Sequence, residues 1–448
     1  MKTEKGFYRN FFSIYIMLVL QNVVTISVNL ADNVMLGGYS ETALSGVAAV
    51  NQIQFVYQQL LMALGDGLVI FCSQYWGKRQ TEPMRKISSV AMRAGLFIAV
   101  VLFAAVSFFP REAVGLFTTE ESIIREGTAY LGIVKYTYVF FAVTIILLAT
   151  LRSVETVKIA FWLSVMAFCV NCCINYVLIY GRFGAPELGA KGAAIGTLAA
   201  RIAECAVLLV YIAKKEKKLH LQLKDYFRAD RRMAGDYFRV CLPMLVVQGL
   251  WGLNTALQTV ILGHMSAAAI AANSAASTLF LLVKSMSVGA SSTASVIVGK
   301  TIGTGNIPLV KHYSSVMQRM FVVIGLVSGL LLFLIRIPVM TLYDLSPEGM
   351  EMMNTFLIIL SVVCVGMSYQ MPTNNGIIRG GGNAMFVVKM DLVSIWMIVI
   401  PLSFAMAFVV KASPAVVVCC LNADQIFKCV PAFLESHYGN WIRKLTRE

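Results

Sequence analysis

An ionisable residue lies inside an apolar segment near the start of the chain. Residues 11–36 are mostly apolar, yet Asp32 lies near their end. Helical spacing places Asn29, Thr25 and Gln21 on the same face as Asp32. In a membrane, such a face is costly toward lipid and favourable toward a wet cavity. The carboxylate could therefore hold a proton or a metal cation. The alternative is a solvated Asp at the outer interface, or one that caps a neighbouring helix.

Polar residues farther along the chain could complete a site around Asp32. Asn171 and Asn175 are four residues apart, which places both on one face of a helix, and Thr197 follows in the next apolar segment. Carboxylate, amide and hydroxyl oxygens suit a hard cation such as Na⁺. A single carboxylate binds Na⁺ more weakly than two would, and this favours H⁺. Interhelical hydrogen bonds, worth about 0.6 kcal/mol each, are the alternative role for the asparagines.

Other charged residues also fall within apolar segments: Asp66, Lys135, Glu204 and Lys284. For Asp66, a site role and a structural role are equally open. Lys284 lies far from either end of its segment, where a cation needs a partner, water or deprotonation. It could meet an anionic substrate group, exchange ion-pair partners, or form a static ion pair. The C-terminal half also carries amides that could line a polar cavity: Gln248, Asn254, Gln258 and Asn273.

The composition indicates a polytopic membrane protein. Of 448 residues, 58% are hydrophobic and 13% charged, and the mean hydropathy is +0.74. A soluble protein would be about one quarter charged. We predict an all-α chain of about twelve membrane-spanning helices, each near 20 residues or longer. The predicted spans are roughly 11–36, 46–75, 87–109, 127–151, 159–180, 189–213, 237–262, 267–298, 313–336, 350–378, 384–410 and 412–433.

The basic residues point to a membrane rather than to nucleic acid. The net charge is +14, but Lys and Arg concentrate in short segments between apolar runs, as in cytoplasmic loops. We therefore expect a lipid bilayer as partner, no nucleic acid, and both termini on the cytoplasmic side of a bacterial-type inner membrane. The largest basic group is 214–239. The C-terminal group comprises Lys428, Arg443, Lys444 and Arg447.

The chain repeats itself. "VMLGGYSETALSGVAAV" (34–50) aligns with "VILGHMSAAAIAANSAA" (260–276), an offset of 226 residues that also carries Gly77 onto Gly303. Two copies of six helices enter the membrane from the same side and form a parallel repeat. Such duplicated bundles are typical of secondary transporters.

The repeat predicts four segments. They are an N-terminal six-helix lobe (1–213), a basic cytoplasmic connector (214–236), a C-terminal six-helix lobe (237–433) and a cytoplasmic tail (434–448).

An ordered set of motifs resembles the multidrug and toxic compound extrusion (MATE) family over nearly the whole chain. The motifs are "LADNVMLGGYSETALSGVAAVNQI", "LVIFCSQYWGKRQ", "NCCINYVLIYGRFGAPELGAKGAAIGTLAAR", "WMIVIPLSF" and "HYGNWIRKL". The resemblance implies two six-helix lobes and export of organic compounds in exchange for Na⁺ or H⁺. It places Asp32 on the family's first-helix aspartate. The family's Asn-x₃-Asp pair here reads Asn171-x₃-Asn175, and the acids that some members carry in helices seven and ten are missing.

We therefore expect a cation-coupled antiporter that exports small organic compounds by alternating access, as a monomer, with no cofactor besides the transported H⁺ or Na⁺. Cationic drugs are the family's usual substrates, although the scarcity of acids and Lys284 argue against them here. Two alternatives stay open. One is a lipid-linked glycan flippase of the same superfamily. The other is a membrane-embedded lipid-processing enzyme, which would need converging His, Glu or Ser residues that the sequence does not show.

Overall fold

The computed structural model describes residues 2–221, 230–341 and 346–446. Within these ranges the chain is helical, apart from loops and one isolated β-bridge between Gly382 and Ile442. The predicted all-α class is therefore confirmed. The predicted connector is described only in part, because 222–229 lie outside the described residues, as do 447–448 of the predicted tail.

The first half of the chain forms α1 to α8. Acidic Glu41 in the first turn of α2 and Pro110 at the start of α4 both favour a helix N-terminus. The bounds are α1 (Lys2–Gly37), α2 (Glu41–Gly77), α3 (Thr81–Phe108), α4 (Pro110–Gly115), α5 (Glu121–Val134), α6 (Thr137–Ser153), α7 (Lys158–Ile179) and α8 (Ala190–Lys214).

The second half forms α9 to α17. Side-chain oxygens of Ser266, Asn306 and Ser346 accept backbone N–H groups at the starts of α10, α11 and α12. The bounds are α9 (Arg231–Gly263), α10 (Ala267–Gly303), α11 (Ile307–Met340), α12 (Pro347–Met371), α13 (Ala384–Asp391), α14 (Ile400–Phe404), α15 (Pro414–Leu421), α16 (Asp424–Phe427) and α17 (Cys429–Tyr438). Three π-helical segments follow α12, α13 and α14: Pro372–Ile378, Leu392–Val399 and Ala405–Val409.

In the described ranges, 11 helical segments are long and apolar enough to span a membrane, and one bent pair raises the number to 12. This confirms the predicted polytopic architecture. The bent pair is α5 and α6, which meet at 55° where we predicted one continuous span, 127–151. At the bend, Tyr136 and Tyr138 bond to carbonyls three residues back, and the Thr137 hydroxyl donates to the Val134 carbonyl at 2.6 Å. These tighter turns break the regular helical ladder.

The chain divides into two compact units. The N-terminal unit comprises Leu20–Cys72 and Gln80–Cys241, and the C-terminal unit comprises Met1–Val19, Ser73–Arg79 and Leu242–Glu448. These bounds differ from the predicted lobes, because the beginning of α1 and the end of α2 belong to the C-terminal unit. Aromatic packing explains the first difference: Phe7 stacks on Tyr313 of α11 at 4.4 Å between ring centroids.

Two glycines that the repeat aligns meet inside the C-terminal unit. A Cβ added to Gly77 would lie 2.1 Å from the Lys300 carbonyl oxygen, and one added to Gly303 would lie 2.0 Å from the Gln74 carbonyl oxygen. The ends of α2 and α10 therefore pack backbone to backbone, and only glycine permits this approach.

We predict that Gly303→Ala lowers the free energy of unfolding by about 1–3 kcal/mol, because the added methyl group overlaps backbone that cannot move aside. Thermal unfolding of the detergent-purified protein measures the change. Gly249→Ala is the control, since a Cβ there meets nothing within 4 Å. Equal melting temperatures for the two variants would contradict the close packing of α2 on α10.

Candidate functional site

Asp32 lies in the last two turns of α1, within the N-terminal unit. Its Oδ1 accepts a hydrogen bond of 2.6 Å from Nδ2 of Asn175 on α7. The same end of α1 is held by Tyr180, whose hydroxyl donates to the Met35 carbonyl at 2.7 Å. The half-buried carboxyl group is thus directed at α7 by a hydrogen bond from the Asn175 amide.

The hydrogen bonds continue from α7 to α8. Asn175 Nδ2 also donates to Asn171 Oδ1 at 3.2 Å, and Asn171 Nδ2 donates to Thr197 Oγ1 at 3.3 Å. Both asparagines are at most 1% exposed. We call Asp32, Asn175, Asn171 and Thr197 the acid–amide chain. The four residues that the sequence proposed as a cation site therefore form one connected network.

Two glycines of α8 make this arrangement possible. A Cβ on Gly196 would lie 2.0 Å from Asn175 Oδ1, and one on Gly192 would lie 2.7 Å from the Leu178 backbone. Gly192 and Gly196 form a G-x-x-x-G pair, which allows two membrane helices to approach closely. This pair was not predicted, although it stands in the sequence as "GAAIG" (192–196).

One buried oxygen of the acid–amide chain has no hydrogen-bond partner among the described residues. It is Oδ1 of Asn175, which is buried. Since a buried acceptor without a partner is costly, it marks a place where a donor or a cation could be accommodated. Together with Asp32, Asn171 and Thr197, it supplies the oxygen ligands that a hard cation prefers.

A basic residue lies one turn beyond Thr197. Arg201 stacks over the Phe141 ring at 4.9 Å and donates to Glu204 at 2.8 Å. It is also close enough to Asp32 to act on the carboxylate electrostatically. Glu204, which the sequence marked as an open question, is 4% exposed and is the ion-pair partner of Arg201.

A small polar cavity adjoins Thr197 and Arg201. Its volume is about 10 Å³, which is close to the least that holds one water molecule. Gln54 Nε2 and the Tyr138 hydroxyl, both on residues that line it, are buried and have no partner among the described residues. A water molecule in this cavity would hydrogen bond to such groups and would link Thr197 to the rest of the polar interior. The cavity is lined by Gln54, Tyr57, Gln58, Thr137, Tyr138, Phe141, Thr197 and Arg201.

The remainder of the predicted stripe on α1 lies outside this network. The Thr25 hydroxyl donates to the Gln21 carbonyl of its own helix at 2.9 Å, and Thr25 and Asn29 are exposed. Of the residues that helical spacing placed on this face, tertiary packing brings only the last, Asp32, to α7.

The other N-terminal candidates are held separately from the acid–amide chain. Asp66 forms an ion pair with Arg152 of α6 at 2.9 Å, which gives it a structural partner. Lys135 lies in the bend between α5 and α6, with its ammonium over the rings of Phe103 and Tyr136 at 5.5 and 5.6 Å.

In the C-terminal unit, Lys284 lies near the middle of α10. Its ammonium is 5.0 Å from the ring centroid of Trp251 on α9. Asn254, one turn after Trp251, is 6% exposed, and its Oδ1 has no hydrogen-bond partner among the described residues. The remaining predicted amides, Gln248, Gln258 and Asn273, are partly buried.

A charged cluster in the C-terminal unit was not predicted. Lys428 Nζ lies 2.8 Å from Asp391 Oδ1 and 2.9 Å from Asp424 Oδ2. Lys428, which we grouped with the basic C-terminal residues, is 3% exposed and lies inside the last candidate span, Pro414–Tyr438, as the predicted span 412–433 also has it. We call Lys428, Asp391 and Asp424 the lysine–aspartate cluster. The i, i+4 spacing of Asp424 and Lys428 was the available signal, since such pairs share a helical face.

An amide network extends from this cluster. Gln425 donates to Asp424 at 2.9 Å, Gln370 donates to Gln425 at 2.8 Å, and Asn374 donates to Gln370 at 3.0 Å. Asn374 belongs to the π-helical segment after α12, a conformation often found at functional sites.

The model of the MatE family matches residues 18–177 and 243–405, which together are well over half of the chain. The two matched segments fall in the two halves, as the predicted internal repeat requires.

The chain is similar to transporters over nearly its full length. It is 24% identical over 435 residues to a probable multidrug resistance protein, NorM, of Thermotoga maritima, covering 96% of this chain and 92% of that one. It is 22% identical over 376 residues to an uncharacterized transporter, YisQ, of Bacillus subtilis, covering 84% and 82%.

Solved structures show the same fold. One is the outward-facing conformation of a multidrug resistance MATE family transporter of the MOP superfamily, with a TM-score of 0.86, 16% identity, and coverage of 95% of this chain and 94% of that one. Another is a MOP superfamily transporter from Pyrococcus furiosus, whose description notes a binding pocket of reverse polarity. It has a TM-score of 0.86 at 15% identity, with the same coverage.

The packing of α7 on α8 yields a stability prediction. We expect Gly196→Ala to reduce the free energy of unfolding by about 1–3 kcal/mol, because its methyl group overlaps Asn175 Oδ1. Combining it with Asn175→Ala, which removes that oxygen, should cost less than the sum of the two single changes. Thermal unfolding of the four proteins measures the coupling. Gly235→Ala, where a Cβ meets nothing within 4 Å, is the control, and strict additivity would contradict the contact.

Proposed function

The chain belongs to the MATE family of efflux transporters, and from this premise we propose that it exports small organic compounds in exchange for H⁺, with Asp32 as the residue that binds the coupling ion. The family consists of transporters and not of enzymes, which removes the lipid-processing alternative. The observation that carries the proposal is the 2.6 Å hydrogen bond between Asp32 Oδ1 and Asn175 Nδ2.

The amide of Asn175 can serve both protonation states of Asp32. In the structure Nδ2 donates to Oδ1 of Asp32, an arrangement that suits the ionised carboxylate. When Asp32 is protonated, its O–H can donate to Oδ1 of Asn175 once the amide rotates, and that oxygen has no hydrogen-bond partner among the described residues. Rotation also moves the donor that Asn171 Oδ1 accepts. A proton on Asp32 would thus change the contact between α1 and α7.

A change in this contact provides the coupling. A bound ion shifts a conformational equilibrium only to the extent that it binds one state more tightly than the other. Asp32 takes up H⁺ from the outside, substrate binding weakens and substrate is released. After the return to the inward-open state, H⁺ leaves to the cytoplasm and new substrate binds.

The proton gradient is large enough for this role. One proton supplies about 1.4 kcal/mol per pH unit and about 2.3 kcal/mol per 100 mV of membrane potential. Consider a gradient of about one pH unit and a membrane potential of about 100 mV. For a neutral substrate and one proton per cycle, they together support a concentration ratio of about 500-fold, at about 1.4 kcal/mol per factor of ten.

H⁺ is favoured over Na⁺ by the charges of the acid–amide chain. Asp32 is its one carboxylate, and the other three members, Asn175, Asn171 and Thr197, are neutral. A metal cation would therefore meet a single negative charge. Since affinity for a hard cation rises with the number of charged ligands, Na⁺ is expected to bind weakly here.

The first test is transport by purified protein in proteoliposomes. Asp32→Asn should abolish substrate movement driven by an imposed pH gradient, because the amide cannot carry the proton, while substrate binding persists. An imposed Na⁺ gradient should drive little transport in the parent. Asp66→Asn is the matched control, since it removes a carboxylate that is paired with Arg152 and does not belong to the acid–amide chain.

In that assay, equal gradient-driven transport by the parent and Asp32→Asn would remove Asp32 from the mechanism. Robust Na⁺-driven transport by the parent would replace H⁺ by Na⁺ as the coupling ion. Melting temperatures of the three proteins show whether a loss of transport reflects a loss of folding.

A second test adds a carboxylate to the site. Asn175→Asp restores the Asn-x₃-Asp pattern and places two acidic groups together, whose repulsion a metal cation relieves. We expect the Na⁺ concentration for half-maximal stimulation of transport to fall about tenfold, which corresponds to about 1.4 kcal/mol. Asn33→Asp adds the same charge at an exposed position of α1 and should leave Na⁺ dependence unchanged. No gain in Na⁺ stimulation would contradict the assignment of these oxygens to a cation site.

A further inference from the structure

Lys284 is a charged residue of the C-terminal unit that the proposed function does not use. Its ammonium lies over the Trp251 ring at 5.0 Å and forms no hydrogen bond or ion pair within the described part of the chain. A cation in the middle of a membrane helix is costly unless something compensates its charge. An aromatic face compensates only part of it.

The nearby acids are already engaged. Asp424 and Lys428 are close enough to act on Lys284 electrostatically, with opposite signs. However, Lys428 lies within 2.9 Å of carboxylate oxygens of both Asp424 and Asp391. The lysine–aspartate cluster thus keeps both carboxylates on Lys428, and Lys284 is left with an aromatic ring.

The internal repeat indicates what position 284 faces. The offset of 226 that pairs Gly77 with Gly303 pairs Gln58 with Lys284. Gln58 lines the polar cavity of the N-terminal unit. Lys284 therefore holds, in the second copy, the place of a cavity-lining residue.

A second unsatisfied group lies on the same helical face as Trp251. Asn254 follows Trp251 by three residues, which places the two on one side of α9. Its Oδ1 is buried without a partner among the described residues. Since buried acceptors are normally hydrogen-bonded, a ligand that offers an N–H or O–H donor would be stabilised at this oxygen.

We infer that Lys284, Trp251 and Asn254 form the substrate-recognition site of the C-terminal unit, and that it binds aromatic carboxylates that carry an N–H donor. The ammonium of Lys284 pairs with the carboxylate, the indole of Trp251 contacts the aromatic ring, and Asn254 Oδ1 accepts the N–H. This inference rests on the proposed export of small organic compounds and specifies their chemical class as anionic or zwitterionic.

Binding to the full chain in phosphatidylcholine nanodiscs tests this assignment without requiring transport. The probes are 6-amino-2-naphthoate and its primary carboxamide, which have nearly the same shape and differ in charge. Equilibrium dialysis of each probe against the parent and its variants gives the two affinities.

The positive charge at position 284 should determine whether the protein binds the naphthoate more tightly than its carboxamide. Lys284→Met should weaken naphthoate binding at least tenfold and leave the carboxamide unchanged, and Lys284→Arg should retain the preference for the acid. Lys135→Met is the matched control, because Lys135 is another lysine held over aromatic rings, and it should change neither affinity.

The neighbouring acid should act in the opposite direction. Asp424→Asn removes a negative charge near Lys284 while Lys428 keeps Asp391, so naphthoate should bind severalfold more tightly and the carboxamide as before. Equal effects of Lys284→Met on both probes, or weaker naphthoate binding in Asp424→Asn, would overturn the assignment.

Two further arms separate this inference from its alternatives. If phosphatidylglycerol in the nanodiscs abolishes naphthoate binding, an anionic lipid headgroup is the occupant and the proposed substrate class is wrong.

Asp32→Asn should bind naphthoate normally although it lacks gradient coupling. Normal coupling in Asp32→Asn with Lys284-dependent binding would refute the coupling role alone, whereas lost coupling with charge-independent binding would refute the recognition site alone.

Discussion

The hydrogen bond between Asp32 and Asn175 joins a carboxyl group on α1 to a fully buried amide on α7. In an apolar surrounding, a carboxylate needs a donor or a proton, and an amide needs partners for each of its polar atoms. Asp32 accepts a hydrogen bond from Asn175, and further hydrogen bonds connect Asn175 to Asn171 and Asn171 to Thr197. One amide oxygen of the acid–amide chain has no partner among the described residues, so the network can accept one further hydrogen-bond donor.

Close backbone packing positions that network. Gly192 and Gly196 let α8 approach α7 so closely that the amide of Asn175 lies against helix backbone. In the C-terminal unit, Gly77 and Gly303 produce a similar contact between the ends of α2 and α10. Without a hydrophobic driving force between helices in lipid, such small-residue contacts are a main source of helix association. The glycines therefore allow the helix backbones to pack closely, and the polar side chains at these contacts hydrogen bond to one another.

The two repeats carry different charges on this common plan. The offset of 226 places Gln258 where the first copy has Asp32, and Lys284 where it has Gln58. The first copy thus has an acid facing amides, whereas the second has a base facing an aromatic ring, with two further acids engaged by Lys428. Such a division suits separate tasks, ion binding in one unit and anion recognition in the other, since each task needs one sign of charge.

The sequence by itself determined the all-α membrane class, the approximate spans and the family, because hydropathy, helical spacing and the repeat are properties of neighbouring residues and of ordered motifs. It also indicated Asp32, Asn171, Asn175 and Thr197, whose spacing and resemblance pointed to one site. The bend at Lys135, the pairing of Asp66 with Arg152 and the burial of Lys428 between Asp391 and Asp424 depended on the tertiary structure. Asp66 and Arg152 are 86 residues apart, and Asp391 and Lys428 are 37 apart. A charged side chain is stabilised by whatever group packing brings within about 3 Å, and local sequence patterns carry no information about a partner that lies far away along the chain.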